Sequence, residues 1–284
     1  MELTWFESFI LGLFSGLLDI LPVSTQAHSI LLLKFLGVTA SSDVMNMLIH
    51  AAIFAALYYS SQTHLIRMKR ARALARVPKR KRKRPLDIRS MMDWSMLKTM
   101  FVPAVLGVYL RKYTAGMYSN LILISLFLFV NGIILYIPQF FPTSNRDSRT
   151  LSRIEGLLMG LGGAASAVPG ISAIGATTSI ASVCGVDRTY GLNMALMMNL
   201  AITAGLIVLD ILSIAATGFG TLSVLILLQY LISAAAAFGG TMLGIKLMRH
   251  LAAGQGFAGF GGCTFSFPHS LQGNRISACL SRRA

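Results

Sequence analysis

The sequence predicts an all-α, polytopic membrane protein, and three observations support this fold class: its composition, its long apolar segments and the placement of its charges. Of 284 residues, 55% are hydrophobic and only 12% are charged, whereas soluble domains carry about 25% charged residues. The mean hydropathy is +0.67. Several apolar segments are long enough to cross a hydrocarbon core of about 30 Å at 1.5 Å per residue.

The formal net charge of +15 comes largely from one segment. Thirteen of the 25 Lys and Arg residues lie between Arg67 and Lys98, including the run KRKRKR at Lys79 to Arg84. The positive-inside rule places such a loop in the cytoplasm, where it can also contact anionic lipid headgroups. No aromatic residues are interleaved with the charge as in nucleic-acid interfaces, so we expect no nucleic-acid partner. The sequence therefore predicts a multi-pass membrane protein with this loop on the cytoplasmic side.

The chain is predicted to form one integral membrane domain, residues 1–253, followed by an atypical polar tail, residues 254–284. Within the domain we expect a first repeat at about 1–141, a second at about 151–250, and a cytoplasmic basic loop at 61–93. About six transmembrane helices and additional re-entrant helical hairpins are expected. The segments predicted as full spans are 44–60, 94–110, 117–141, 190–216 and 222–247.

Two apolar segments are interrupted in a similar way. The first contains GLLDILPVS and the second GLGGAASAVPGIS, so each has Gly-Leu, then a proline, then a serine two or three residues later. Broken helices at corresponding positions of two halves indicate an internal repeat with a binding site where the repeats meet. The ends of such half-helices direct free N–H groups at an anion.

The polar residues of these segments are costly inside a bilayer and therefore indicate function. Their hydroxyls, backbone donors, carboxylate and imidazole suit an oxyanion such as phosphate, with the carboxylate free to hold a divalent cation. Serine and threonine can also bond to their own helix, and glycine can serve close helix packing. Elsewhere, His50 is interpreted as a packing or loop-edge residue, and the role of Asp210 is open. The candidates are Asp19, Ser24, Thr25 and His28 in the first segment and Gly170, Ser172, Gly175, Thr177 and Thr178 in the second.

The two segments resemble the motifs of the bacterial undecaprenyl-diphosphate phosphatase family, also called the bacitracin-resistance protein family. Its first motif has the form E-G-L-T-E-F-L-P-[IV]-S-S-T-G-H, and this chain reads SGLLDILPVSTQAH from Ser15 to His28. Its second motif has the form P-G-x-S-R-S-G-A-T, and this chain reads PGISAIGAT from Pro169 to Thr177. The likeness covers most of residues 5–250.

This resemblance implies an enzyme of the bacterial plasma membrane with two inverted repeats and re-entrant helices. It would be a phosphatase that hydrolyses undecaprenyl diphosphate to undecaprenyl phosphate at the outer face, recycling the carrier lipid of the cell wall. The implied partners are a polyprenyl diphosphate lipid and the bilayer, and the implied cofactor is a divalent cation, Mg²⁺ or Ca²⁺. The resemblance places catalytic groups at Asp19, Ser24, Thr25 and His28, with Asp19 also as metal ligand. Phosphate-binding groups are implied at Gly170, Ser172 and Thr177.

Two positions depart from the family motifs. Ser15 replaces the first glutamate, and Ala173 replaces an arginine expected to bind the diphosphate and stabilise transition-state charge. Arg188 and Lys34 are alternative cations, although their spacing supports neither. These departures leave a second hypothesis, a non-catalytic protein of the same fold that binds or translocates polyprenyl phosphates. A third hypothesis is a copy whose motifs and tail have drifted away from function.

Overall fold

A computed structural model describes the chain over residues 4–37, 42–114, 116–117, 120–141, 145–218 and 223–253. The described residues are helical and contain no β-strand, which confirms the predicted all-α class. The polar tail predicted at 254–284 lies outside the described residues. The helices are α1 (Trp5–Ile20), α2 (Thr25–Phe35), α3 (Asp43–Ala75), α4 (Ile88–Thr114), α5 (Leu121–Tyr136), α6 (Arg153–Ala164), α7 (Ala173–Val183), α8 (Arg188–Thr217) and α9 (Val224–Ala253).

Four helical segments of the described chain are long and apolar enough to cross a membrane, and they are Asp43–Ala75, Leu121–Phe140, Arg188–Thr217 and Val224–Ala253. Large apolar side chains stand exposed on these helices, such as Ile122 and Val224, as expected where a helix contacts lipid rather than water. The protein is therefore a multi-pass membrane protein. The segment predicted as a span at 94–110 lies in α4, which is 27 residues long but is not among these four. The expected number of about six spans stays a prediction.

The basic segment is more helical than the sequence suggested. Helix α3 continues to Ala75 and α4 begins at Ile88, so only residues 76–87 of the loop predicted at 61–93 lie outside α-helix. A short 3₁₀ turn, Lys79–Lys81, lies within this connection. Long basic side chains are good helix formers, which allows α3 to extend beyond its apolar part.

Both interrupted segments are broken at their prolines. Helix α1 ends at Ile20 and α2 begins at Thr25, while α6 ends at Ala164 and α7 begins at Ala173. Pro22 and Pro169 lie in these breaks, because proline lacks an N–H and disfavours helical geometry in the residue before it. Gly170 has a positive φ of 113°, a conformation that favours glycine. The sequence thus located both breaks.

Each half of the chain packs its first helix against the other half. Helix α1 packs along α9, and α6 packs along α4, so the first helix of each half lies on the fourth helix of the other. Helices α3 and α8 pack against each other, and they also contact α9 and α4 respectively. This reciprocal arrangement is what two related repeats would produce, and the inverted repeats stay a prediction that it supports.

Candidate functional site

The two broken segments meet each other directly. The Ser24 hydroxyl oxygen accepts a hydrogen bond from the Gly170 N–H at 3.0 Å. In the opposite direction the Ser172 hydroxyl donates to the Leu21 carbonyl at 3.3 Å. Both serines are buried, so these bonds hold the two interruptions together inside the protein.

Asn131 of α5 joins the same two segments. Its Nδ2 donates to the Pro22 carbonyl at 3.2 Å, and its Oδ1 accepts from the Ser172 N–H at 2.9 Å. Asn131 is fully buried, where an amide is stable only if its polar atoms are paired. Asn131 is not among the residues that the two motifs indicate, although an isolated amide in an apolar span was a usable signal.

Each serine also caps the helix that follows it. Ser24 accepts from the Ala27 N–H at 3.4 Å, and Ser172 accepts from the Gly175 N–H at 3.2 Å. The first N–H groups of a helix have no acceptor within that helix and carry a partial positive charge. The first turns of α2 and α7 therefore bring two sets of anion-attracting groups to one place.

A cavity of about 60 Å³ lies at this meeting point. A second cavity of about 290 Å³ adjoins it, since both are lined by Asp19, Thr25, Gln26, His50 and Arg111. The smaller cavity is lined by Asp19, Ser24, Thr25, Gln26, His50, Arg111, Ser166, Ile171, Ser172, Ala173, Asn199, Ile202 and Leu206. Residues from both halves of the chain contribute to it, as the proposal of a site between repeats requires.

The polar side chains of the cavity are supported from α8. Asn199 donates through Nδ2 to the Asp19 carboxylate at 2.8 Å. The Nδ1 atom of His50 lies 2.6 Å from the Asp210 carboxylate, so these two residues, 160 positions apart, form an ion-pair or hydrogen-bond contact between α3 and α8. His50 therefore does more than pack, and Asp210 has a partner.

The structure brings together some of the predicted site residues and not others. Asp19, Ser24, Thr25 and Ser172 line the smaller cavity, together with Ala173, and Ser15 lines the larger one. His28 does not line either cavity, and its Nδ1 atom lies 2.7 Å from the Ser24 carbonyl.

Gly170 and Thr177 also lie outside both linings. Gly170 donates its N–H to Ser24. The Thr177 hydroxyl donates to the Met159 carbonyl at 3.2 Å, and that of Thr178 donates to the Ile174 carbonyl at 2.8 Å. These contacts hold α7 against α6 and within its own helix, so the two threonines support the site instead of lining it.

Comparison with known proteins identifies the family. The sequence matches the family described as bacitracin resistance protein BacA over residues 8–267. The chain belongs to this BacA family. The match confirms the resemblance seen in the two motifs.

Several proteins of known name are similar to this chain. An undecaprenyl-diphosphatase of Methanobrevibacter smithii is 28% identical over 225 residues, covering 77% of this chain and 81% of that protein. Undecaprenyl-diphosphatase 1 of Shouchella clausii is 27% identical over 212 residues, covering 72% and 73%. Undecaprenyl-diphosphatase 3 of Frankia alni is 29% identical over 198 residues, covering 66% of each.

The donor set of the cavities bears on the metal that the BacA resemblance implies. Within the described residues no group of three or more His, Cys, Asp or Glu side chains is placed to hold a metal ion, and Asp19 is the one carboxylate among the lining residues. Mg²⁺ is commonly held by one or two carboxylates together with substrate phosphates. The residues therefore fit a cation that is bound together with a phosphate ligand.

Proposed function

We propose that this protein hydrolyses undecaprenyl diphosphate to undecaprenyl phosphate and inorganic phosphate. The supporting observation is the convergence of the first turns of α2 and α7 on one cavity that also holds the Asp19 carboxylate and the Thr25 hydroxyl. Oriented N–H groups stabilise negative charge on a phosphoryl group in transfer. The names of the similar proteins give the substrate.

Thr25 is the preferred nucleophile over Ser24. The Ser24 oxygen already accepts two N–H bonds and is 1% exposed, whereas Thr25 lines both cavities. In the proposed first step the Thr25 oxygen bonds to the terminal phosphorus, and the bond from that phosphorus to the bridging oxygen breaks. Undecaprenyl phosphate leaves. Water then cleaves the phosphothreonine and releases inorganic phosphate.

Two histidines are candidates for accepting the nucleophile's proton. The resemblance counts His28 among the catalytic groups, as nucleophile or general base, but His50 is the histidine that lines the cavities with Thr25. With Nδ1 donating to the Asp210 carboxylate, Nε2 of His50 keeps the lone pair of the ring. We therefore propose that His50 accepts the proton and that His28, bonded to the Ser24 carbonyl, orients the segment before α2.

A divalent cation, Mg²⁺ or Ca²⁺, is proposed to bind at Asp19 together with the diphosphate. When bound, it would neutralise part of the negative charge of the phosphates. Asn199 fixes one oxygen of the Asp19 carboxylate through its hydrogen bond and thereby orients the other oxygen.

The site is proposed to open to the outer side of a bacterial plasma membrane, with the basic connection in the cytoplasm. Positive charge at Lys79 to Arg84 favours the cytoplasmic side. Helix α4 leads from this connection to Arg111 at the cavity, and its 23 intervening steps at 1.5 Å correspond to about 35 Å. This length is close to the thickness of the bilayer core, so the cavity and the basic connection would lie on opposite sides.

The test is phosphate release by the purified protein in detergent with undecaprenyl diphosphate and Mg²⁺ or Ca²⁺. We expect turnover by the wild type, and a loss of about 10²–10⁴-fold in His50→Ala, as for removal of a general base, with a smaller loss in His28→Ala. A lipid that binds without any turnover would contradict the proposal and favour the non-catalytic binding or translocating protein. A larger loss in His28→Ala than in His50→Ala would return the proton-accepting role to His28.

A further inference from the structure

A single Arg or Lys lines the two cavities in the part of the chain that the structure describes, and it is Arg111. This residue belongs to the last turn of α4 and is half-buried. It lies far in sequence from both interrupted motifs, so no motif comparison could assign it a role.

Contacts between α4 and the segment after α6 place Arg111 beside the second interruption. Its Nη2 donates to the Ser166 carbonyl at 3.4 Å, and the nearby Thr114 hydroxyl donates to the Ala167 carbonyl at 2.6 Å. One turn earlier on α4, Gly107 lies so close to Ala164 that a Cβ could not be added without displacement. The end of α4 is therefore held firmly against the segment that leads into α7.

Ala173, at the start of α7, lacks the positive charge that the family motif has at this position. Ala173 is the first residue of α7 and lines the same cavity as Arg111, and in the family motif an arginine stands at this position. The methyl group of an alanine cannot bind phosphate. Lys34 is exposed, and neither Lys34 nor Arg188 lines either cavity, so the two alternatives from the sequence are not at the site.

The charges of the cavity agree with an arginine that is supplied by α4 instead of α7. Arg111 lines both cavities together with Asp19 and Thr25, so a guanidinium and a carboxylate border the same space beside the first turn of α2. A guanidinium can bind two phosphate oxygens at once. Together with the N–H groups of α2 and α7, it would surround a phosphate from three helices.

We propose that Arg111 is the phosphate-binding arginine of this protein, supplied by α4 in place of the arginine that the family motif carries at the position of Ala173. This inference rests on the proposed function for its substrate. It assigns Arg111 to direct contact with the terminal phosphate or the bridging diphosphate oxygens, where negative charge increases during phosphoryl transfer.

Three variants test this assignment, with undecaprenyl diphosphate turnover and inorganic pyrophosphate binding as readouts. Arg111→Gln should lower kcat/KM by about 10²–10³-fold, as for the loss of one transition-state donor, and should weaken pyrophosphate binding by about 10-fold or more. Arg111→Lys should show a smaller decrease in kcat/KM and in pyrophosphate binding, because an ammonium keeps the charge but cannot bind two oxygens in the same way. The matched control is Lys112→Gln, since Lys112 is the adjacent exposed cation and lines neither cavity; it should change both readouts by less than about twofold.

A double variant separates phosphate binding from a purely structural role. Arg111→Gln with Ala173→Arg returns an arginine to the family position, and we expect it to recover at least about a tenth of the lost activity. A folded Arg111→Gln protein with wild-type turnover and pyrophosphate binding would overturn the inference. A double variant that is folded but no better than Arg111→Gln would overturn it as well. If the wild type itself has no turnover, the proposed function fails, while pyrophosphate binding still decides the role of Arg111.

Discussion

At the scale of single residues, Ser24 and Thr25 are neighbours in different surroundings, and different roles are proposed for them. The Ser24 oxygen is the acceptor for two buried N–H groups, those of Ala27 and Gly170. In Ser24→Ala both groups lose their acceptor, and a buried unsatisfied donor costs about 1–3 kcal/mol. We expect Ser24→Ala to lower the thermal unfolding temperature in detergent clearly. Thr25→Ala should leave that temperature nearly unchanged and lower turnover by about 10³-fold or more.

Thr25→Ser is the control for this pair, because it keeps a hydroxyl at the cavity and should retain most of the turnover. Full turnover in Thr25→Ala, measured as phosphate release, would exclude Thr25 as nucleophile. If Ser24→Ala proved as stable as the wild type and inactive, the two roles would have to be exchanged, with Ser24 as nucleophile and Thr25 as the structural residue.

Asp147 gives a residue-scale prediction about pH outside the spans. Hydrogen bonds from the Arg149 side chain, with a distance of 3.0 Å between Nη2 and Oδ2, hold the pKa of this carboxyl below its ordinary value of 3.8. A lowered folded-state pKa stabilises the protein above the unfolded pKa, and this contribution is lost as the pH falls through the folded value. Asp147→Asn should therefore lower the unfolding temperature slightly at neutral pH and have no effect well below pH 3.8. A difference of equal size at both pH values would contradict the assignment.

At the scale of secondary-structure elements, the contact between α1 and α9 depends on the absence of side chains. A Cβ at Gly16 would collide with the Ala237 backbone, whereas Gly239 of α9 has open space. Gly16→Leu should force the helices apart and destabilise the protein by about 1–3 kcal/mol or more, and Gly239→Leu should be nearly neutral. Thermal unfolding of the two variants side by side checks this. Equal stability of Gly16→Leu and the wild type would mean that α1 and α9 pack less closely.

The sequence predicted the elements of the site well where local chemistry decides them. Pro22 and Pro169 end or prevent helix by their own geometry, and Ser24 and Ser172 are strong N-cap residues. These signals are contained in a few neighbouring residues, so both breaks and both capped helices could be inferred. The extension of α3 to Ala75 does not follow from the apolar pattern, because the last part of this helix is basic and is favoured by helix propensity instead.

At the scale of the whole molecule, the sequence could not predict which distant side chains complete the cavity. Arg111 reaches it because α4 packs on α6, and His50 reaches it because α3 packs on α8. Both depend on tertiary packing between the two halves, and neither residue belongs to a motif. The absence of the motif arginine at Ala173 is therefore visible in the sequence, whereas the position of Arg111 at the cavity is not.

The orientation of the molecule in the membrane can be tested with single cysteines. After Cys184, Cys263 and Cys279 are replaced by serine, Lys83→Cys places a thiol in the basic connection and Lys112→Cys places one at the other end of α4. A membrane-impermeant maleimide added to intact cells should label Lys112→Cys and should label Lys83→Cys only after permeabilisation. The reverse pattern would place the cavity on the cytoplasmic side.

The packing of α1 on α9 sets an order of events during synthesis of the chain. The Ser233 hydroxyl donates to the Ser8 carbonyl, 225 positions away, and translation at 5–20 residues per second needs about 10–45 s to cover that distance. For this interval the face of α1 that carries Gly12 and Gly16 lacks its partner. Asp19, about one turn further along α1, gains its hydrogen bond from Asn199 only after α8 has been made. Helix α1 is thus made long before the surface that buries it, and a ribosome that stalls before α9 would leave a nascent chain with an unpaired α1 surface that quality-control proteases can attack.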